Sequence, residues 1–358
     1  MLILNKHRKE NKYNMKILYV DPISPLGHVN FNKIHIESLK KNGHVIDFIF
    51  KEGYSKLLDI PDDRIVLTLK AYSFKDGIRN RINILQNFIR IKKWIKYHEY
   101  DTIIFSSFDE TALYLSNIKP PLYLINHNNL AGVERSYIKR FFYKQISKRN
   151  TQIVMDKSSV LFLSSIGVNN VYKVSHGLTK EFLDCNLPET YRNYKSIIFA
   201  PSVKMYGDEV NNKLINDKEL NSYLKKHNVL LLLKSSLLVE DESNIKLIKR
   251  RLSNEEYKGI FANSDLIILS YSIGFKYRTS GILMECIAND KRVLLSDISA
   301  LREYEDVVGA SSFWSNYEML RTKIVEFVEA TKISKEKISY NKDRFVPDYS
   351  FIKGKNGY

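Results

Sequence analysis

Short apolar runs alternate with amphipathic stretches along most of the chain. Residues 16–20 and 44–50 are predicted to be the first two strands, and the helix between them ends at Gly43. A strand, a helix and a second strand in this order predict a βαβ unit with parallel strands. The second run is mostly apolar, which is typical of a strand covered on both faces. The pattern therefore indicates an α/β protein.

The alternation restarts in the second half of the chain. Further strands are predicted at 102–105, 122–125, 160–163, 171–174, 196–200, 229–233, 266–269 and 292–295. We therefore expect two Rossmann-like, doubly wound parallel-sheet domains that face a central cleft. The predicted divisions are a basic extension at 1–14, a first domain at 15–185, a linker at 186–195, a second domain at 196–335 and a tail at 336–358.

The charge of the chain indicates an anionic partner. The sequence has 56 Lys and Arg against 40 Asp and Glu, a net charge of +16. Nucleic acid, an acidic membrane face and a phosphorylated small molecule all fit this excess. Two cysteines without Cys-x-x-Cys spacing fit a reducing compartment without zinc, so we expect a cytoplasmic protein. No apolar run is long enough to predict a transmembrane helix or a secretory leader.

Several familiar chemistries lack their motifs. The sequence contains no G-x-x-x-x-G-K-[ST], G-x-G-x-x-G, H-E-x-x-H or G-x-S-x-G, which removes support for kinase, dehydrogenase, zinc protease and hydrolase functions. It also has no D-x-D pair of the kind that holds a divalent metal on a diphosphate. We therefore expect no cofactor and no metal, with any diphosphate neutralised by cations and helix ends.

The stretch 266–297 is the best candidate for a phosphate site. A predicted strand leads through a polar loop into a helix that begins near Ser280 and Gly281, whose free amides suit an anion. Arg278 comes just before them, and Gly281 allows close backbone approach. Glu285 follows one turn later, where a carboxylate can accept hydrogen bonds from ribose hydroxyls. The alternative for Glu285 is an ordinary exposed helical residue.

The same stretch resembles the GT-B glycosyltransferases, especially the large retaining family with the signature E-x7-E. Glu285 takes the place of the second Glu, and 293–297 stands where that family has P-V-[IV]-x-[ST]-D. Tyr277 replaces the first Glu, which normally contacts the donor sugar. The resemblance implies a nucleotide-sugar donor and transfer, with retention, to a glycan or lipid-linked acceptor in cell-envelope polysaccharide synthesis.

Other positions follow the order of segments in that family. Gly27 lies in the loop after the first strand, where the family's backbone approaches the donor, and residues 174–178 are similar to its P-N-G-[VI]-D element. The resemblance implies that His127 contacts the donor sugar, although a histidine at a strand end is commonly bonded to backbone. Lys204 and Lys234 follow strands of the second half and are candidate diphosphate ligands, or else solvated loop lysines.

Two basic stretches lie in the first half. Residues 135–149 contain six basic residues and no acid, with Arg135, Lys139, Arg140 and Lys144 among aromatic and aliphatic side chains. Residues 79–96 are similar, and Trp94 is a candidate interface anchor. These stretches suit a peripheral helix on the anionic inner face of a cell membrane. The alternatives are that the apolar residues pack into the core, or that the patch binds single-stranded nucleic acid, which we do not expect.

Two competing functions come from other classes. A catalytically inactive GT-B protein that acts as a partner or scaffold would explain Tyr277 in place of a Glu and the incomplete element at 174–178. A basic protein that binds single-stranded nucleic acid would explain the charge alone.

Overall fold

The computed structural model describes residues 14–71, 77–183, 185–201, 208–235, 244–333 and 338–352. Their contacts divide the chain into two compact units. The first takes the described chain up to Val154, then Leu163–Val174 and the segment from Pro347 onward, and the second takes Met155–Phe162 and Ser175–Val346. The domains predicted from the sequence are continuous ranges of residues, so they do not include this return of the chain to the first unit.

Each unit is built on one wholly parallel sheet. The first sheet contains β1 (Lys16–Asp21), β2 (Val45–Lys51), β3 (Ile65–Leu69), β4 (Thr102–Phe105), β5 (Tyr123–Ile125), β6 (Thr151–Val154) and β7 (Val171–Lys173). The second contains β8 (Ser196–Ala200), β9 (Val229–Lys234), β10 (Ile245–Ile248), β11 (Leu266–Leu269), β12 (Arg292–Ser296) and β13 (Phe313–Trp314). Their orders are β3-β2-β1-β4-β5-β6-β7 and β10-β9-β8-β11-β12-β13. The predicted class of two doubly wound parallel-sheet domains is confirmed.

Among the described residues, helices lie between most pairs of successive strands in both units. The described helices are α1 (Val29–Lys41), α2 (Tyr54–Leu57), α3 (Gly77–Tyr97), α4 (Glu110–Ser116), α5 (Leu130–Arg135), α6 (Tyr137–Ser147), α7 (Lys157–Ser165), α8 (Asp208–Asn216), α9 (Lys218–Lys226), α10 (Asn254–Asn263), α11 (Gly281–Ala288), α12 (Ser299–Arg302), α13 (Glu305–Val308) and α14 (Tyr317–Ile333). The capping box of Ser253 and Glu256 begins α10, and the Ser280 side chain caps α11.

The central strands explain why the sequence shows apolar runs rather than alternation. In β8, Ile197 and Phe199 join one core cluster, while Ile198 and Ala200 join another. The strand is buried along its whole length because each face of the sheet packs against its own layer. Strands of this kind are the ones that the sequence predicts most accurately.

The predicted strand at 160–163 is wrong, because these residues lie within α7. The carboxylate of Asp156 accepts a hydrogen bond from the backbone N–H of Ser159 at 2.7 Å and so caps the start of this helix. Leu163 is buried and Leu161 is exposed, as on two sides of a helix. The strand in this region is β6, whose polar Thr and Gln hid it, and a short apolar run alone does not distinguish strand from helix.

The segment after Pro347 packs into the first unit. The Tyr349 hydroxyl and Nδ1 of His35 on α1 are hydrogen-bonded at 2.5 Å, and the Ser38 hydroxyl donates to the carbonyl oxygen of Pro347 at 2.7 Å. The ring of Phe351 stacks on Tyr172 of β7, with the ring centres 4.2 Å apart. The predicted tail is therefore divided: residues 338–346 belong to the second unit, and residues 347–352 pack into the first.

We expect Tyr349→Ala to destabilise the first unit by about 3 kcal/mol, because a fully buried aromatic ring and a buried hydrogen bond are lost. Each unit contains one tryptophan, Trp94 in the first and Trp314 in the second. Urea unfolding followed by Trp94 fluorescence in a Trp314→Phe background measures the change. Val346→Ala, at an exposed position just before the segment, is the control. An unchanged Trp94 midpoint in Tyr349→Ala would contradict the packing.

Candidate functional site

The strand order places a switch point in each sheet. Chain connections leave β1 and β4 in opposite directions along the first sheet, as they leave β8 and β11 in the second. Ligands of open parallel sheets bind beyond the carboxyl ends of the strands at such points. In the second unit, the loop after β11 leads directly into α11, so the predicted phosphate site lies at the switch point.

The loop between β11 and α11 is held in place by its own side chains. The rings of Tyr271 and Phe275 stack with their centres 4.1 Å apart. The hydroxyls of Tyr271 and Ser280 lie 2.9 Å apart, and Ser280 Oγ accepts a hydrogen bond from the N–H of Leu283. The amides at the very start of α11 have no partner within the helix, as at any helix N-terminus. The structure shows Ser280 as the side-chain cap of α11, and its predicted contact with a diphosphate stays a prediction.

The glycines at the two switch points have no packing reason to be glycine. A Cβ atom built on Gly281 or on Gly27 meets no atom within 4 Å, and neither residue has the positive φ that favours glycine. Gly281 begins α11, while Gly27 lies in the loop between β1 and α1. Open space in front of the backbone is the local geometry that a closely approaching ligand needs.

Glu285 lies one turn into α11 and is hydrogen-bonded to a neighbouring helix. The Tyr257 hydroxyl on α10 donates to Glu285 Oε2 at 2.5 Å. Burial raises the pKa of Glu285 to about 7, against the lowering effects of this hydrogen bond and of Lys258. The carboxyl is therefore poised to change charge near neutral pH. Sequence reasoning missed Tyr257, because no local pattern shows that α10 packs against α11 at this point.

Ser270 is a second residue that sequence reasoning missed. It directly follows β11, and its Oγ is buried without a hydrogen-bond partner among the described residues. A buried hydroxyl usually has a partner, so a polar ligand group at the switch point would account for this one. Its position as the first polar residue after a buried strand was the available signal.

Tyr277, which stands in place of the first Glu, makes aromatic contacts. Its ring lies 4.8 Å from that of Phe162 on α7, and the ammonium group of Lys276 lies 5.0 Å from its centre. The Ser158 hydroxyl donates to the carbonyl oxygen of Lys276 at 2.7 Å, which ties the same loop to the start of α7. Arg278 is half-buried in this loop, two residues before Ser280.

The structure describes one of the two candidate lysines, Lys234. Lys234 ends β9, and its ammonium group donates to the carbonyl oxygens of Ile248, at 3.3 Å, and of Arg250. Burial and the charge of Arg250 lower its pKa. In this structure Lys234 therefore holds the end of β10 in place. Lys204 lies outside the described residues.

In the first unit, Asp21 organises the loop at the switch point. The residue ends β1 and is fully buried. Its carboxylate accepts hydrogen bonds from the backbone N–H of Ser24 at 2.6 Å, from the side chain of Asn32 at 2.8 Å and from the hydroxyl of Ser107. Asp21 thereby joins β1, α1 and the residues after β4, and it fixes the path of the loop that carries Gly27.

His127 is stacked on a second histidine. It follows β5, and its ring lies parallel to that of His28, with the centres 4.0 Å apart, while Phe31 packs edge-on against it. Burial lowers the pKa of His28, and the charge of Asp21 opposes this effect. Nδ1 of His28 has no hydrogen-bond partner among the described residues.

The basic residues and Trp94 that the sequence singled out in the first half differ in their contacts and exposure. Lys139 forms an ion pair with Glu110 at 2.8 Å, and Arg140 donates to the carbonyl oxygens of Val133 and Glu134. Arg135 and Lys144 are exposed. Trp94 is half-buried, and its indole N–H donates to the hydroxyl of Tyr100 at 3.2 Å.

Within the described residues, no group of three or more His, Cys, Asp and Glu side chains could hold a metal ion. Across the same ranges, no helix has the length and apolar character needed to cross a membrane.

No protein-family model and no curated protein matches the sequence. Solved structures do match. An enzyme from Listeria monocytogenes named as a UDP-N-acetylglucosamine 2-epimerase has a TM-score of 0.63 at 12% identity, over 93% of this chain and 92% of its own. The protein HepE from Anabaena, in complex with UDP-glucose, has a TM-score of 0.59 at 14% identity, over 90% and 92%. A glycosyltransferase from Rickettsia africae has a TM-score of 0.57 at 18% identity, over 89% of each chain.

The chain has the GT-B fold. The identities are low, so the fold is what these proteins share with it. The resemblance noted in the sequence is thereby confirmed at the level of the fold, and membership of the retaining E-x7-E family stays a prediction.

The raised pKa of Glu285 predicts a pH-dependent stability. A carboxyl whose pKa is higher in the folded than in the unfolded protein stabilises the fold below its unfolded pKa, and this contribution is lost as the pH rises through about 7. We therefore expect Glu285→Gln to gain roughly 2 kcal/mol of stability relative to the wild type between pH 5 and pH 8. Urea unfolding at both pH values, followed by Trp314 fluorescence, measures this difference.

Glu326→Gln, at an exposed site on α14 of the same unit, is the matched control and should unfold like the wild type at both pH values. Equal pH dependence in the wild type and in Glu285→Gln would contradict a buried, titrating Glu285.

Proposed function

We propose that this protein is a glycosyltransferase that binds a nucleoside diphosphate sugar at the switch point of its second sheet and transfers the sugar to an acceptor hydroxyl. In this proposal the first amides of α11, at Gly281 and the following residue, bind the diphosphate, with Arg278 and Lys204 adding positive charge. Glu285 binds the ribose hydroxyls, and no metal takes part.

The observation that carries the proposal is the open N-terminus of α11. It combines a glycine that packing does not require, a buried serine cap and a carboxyl one turn later, at a place where parallel sheets bind ligands. HepE, which shares the fold, is bound to UDP-glucose. The N-terminus of α11 and Glu285 in this chain suit the pyrophosphate and ribose of such a molecule.

The proposal also covers the transferred sugar and the acceptor. We assign contact with the sugar to His127, whose ring is held between His28 and Phe31 and so has a fixed orientation. A glycan or lipid-linked acceptor, retention of configuration and a role in polysaccharide synthesis follow from the sequence resemblance alone, and the cytoplasmic location follows from the two unpaired cysteines.

Binding of UDP to the purified protein tests the nucleotide site. Gly281→Val should raise the dissociation constant at least tenfold, because the branched side chain enters the space in front of the first amides, where an added Cβ meets no atom within 4 Å. Glu285→Ala should raise it roughly tenfold through loss of the ribose contact. Isothermal titration calorimetry measures both. Lys218→Val, at the corresponding first position of α9 in the same unit, is the control and should bind like the wild type.

Unchanged UDP binding in Gly281→Val would exclude the N-terminus of α11 as the diphosphate site. Absence of binding to UDP and to the other nucleoside diphosphates would remove the proposed function altogether.

A second experiment separates transfer from its competitors. The protein is incubated with UDP-glucose or with UDP-N-acetylglucosamine, and the sugar is followed by NMR. Slow release of UDP without inversion at C2 supports a transferase that uses water in place of its acceptor. Inversion at C2 supports an epimerase, the activity named for the Listeria protein of the same fold. Tight binding without any turnover supports an inactive partner or scaffold protein, which is the function suggested by Tyr277.

A further inference from the structure

Three helices of the first unit form one layer with a large excess of positive charge. Right-handed connections place α3, α4 and α6 on the same face of the sheet, and α4 packs against both of the others. Together these helices contain nine Lys and Arg residues and one acidic residue, Glu110. Glu110 is buried and ion-paired with Lys139. We call α3, α4 and α6 the basic layer.

The outer side of the basic layer also exposes large apolar side chains. Ile138 is 70% exposed and Phe141 is 52% exposed on α6. The other exposed apolar residues of the layer are Ile82, Ile89, Tyr97, Tyr114, Leu115 and Tyr137. The alternative in which the apolar residues of this stretch pack into the core therefore fails for Ile138 and Phe141, whereas it holds for Ile146 of the same helix. Clustered exposed apolar residues on a protein surface mark an interaction site.

Charge and apolar groups are arranged together rather than on separate surfaces. Tyr137, Phe141 and Lys144 are spaced by four and three residues, so they lie along one side of α6. On α3, Ile82, Ile89 and Lys93 are exposed at spacings of seven and four. Each helix thus presents a row in which apolar side chains are followed by lysine. Apolar groups can enter the boundary between headgroups and acyl chains while lysines reach the headgroups.

We propose that the basic layer docks on the surface of an anionic lipid bilayer, with Ile138 and Phe141 inserted and the surrounding lysines and arginines contacting the headgroups. Charge complementarity selects an anionic partner, and the exposed isoleucines select a lipid over a nucleic acid. Single strands stack on aromatic rings, and an aliphatic side chain offers no such platform. The proposal concerns a different surface from the nucleotide site and does not depend on the proposed function.

Vesicle flotation tests the docking surface directly. The wild-type protein should float with vesicles of phosphatidylglycerol and phosphatidylcholine at low salt, and it should stay in the soluble fraction with phosphatidylcholine alone. Ile138→Gln combined with Phe141→Gln should weaken binding at least tenfold, because the inserted apolar area is lost. Lys148 is the exposed residue directly after α6, at the edge of the basic layer. Lys144→Glu combined with Lys148→Glu should weaken binding by more than tenfold, because each cation near such a surface strengthens binding roughly fivefold.

Matched controls come from the second unit. Leu183→Gln removes an exposed apolar side chain, and Lys225→Glu with Lys226→Glu reverses two exposed charges at the end of α9. Both should float like the wild type. Circular dichroism and thermal unfolding verify that every variant is folded.

Three outcomes would overturn the proposal. The first is equal flotation with anionic and neutral vesicles, or none with either. The second is unchanged flotation in either of the two basic-layer variants, or a loss in the controls that equals theirs. The third is release of the protein from vesicles by an oligo(dT) strand that binds the wild type and not the basic-layer variants, since this result would assign the layer to nucleic acid.

Discussion

Two neighbouring strands can run parallel only if the chain crosses back from the end of the first strand to the edge of the sheet at which it began. In this protein helices form most of these crossover connections. This constraint buries the central strands on both faces, as the two core clusters around β8 show. It also brings all carboxyl ends of a sheet to one edge. For this reason the loops that carry Gly27 and His127 lie at the carboxyl edge of the first sheet. The loop that carries Ser280 lies at the carboxyl edge of the second sheet.

The two switch points use polar groups in different ways. In the first unit a buried carboxylate, Asp21, is satisfied by hydrogen bonds from three separate segments and holds a loop in shape. In the second unit the half-buried carboxyl of Glu285 has one donor among the described residues, the Tyr257 hydroxyl, and burial is the main cause of its raised pKa. A carboxylate with many donors suits a structural role, and one with few keeps hydrogen-bonding capacity for a ligand.

The sequence predicts those elements whose signal is local. The strands at 102–105 and 266–269 agree with the structure to the residue, and the helix predicted to begin near Ser280 and Gly281 begins at Gly281, because apolar runs end at clear turn or cap residues. The sequence does not predict the strand β6, because half of its residues are polar. It predicts a strand within the helix α7, because that helix contains a short apolar run. The switch-point loops could be predicted from the order of elements. The contact of Tyr257 with Glu285 and the stacking of His28 on His127 could not, because each joins residues far apart in the chain.

The return of the chain to the first unit has a consequence for the order of folding. Domains commonly fold one after another as the chain leaves the ribosome, beginning with the N-terminal one. Here the ring of Tyr349 fills a place in the core beside His35, and Phe351 covers Tyr172 of the edge strand β7. The first unit therefore cannot complete its core until the whole second unit has been synthesised, so the part of the protein that is made first is finished last.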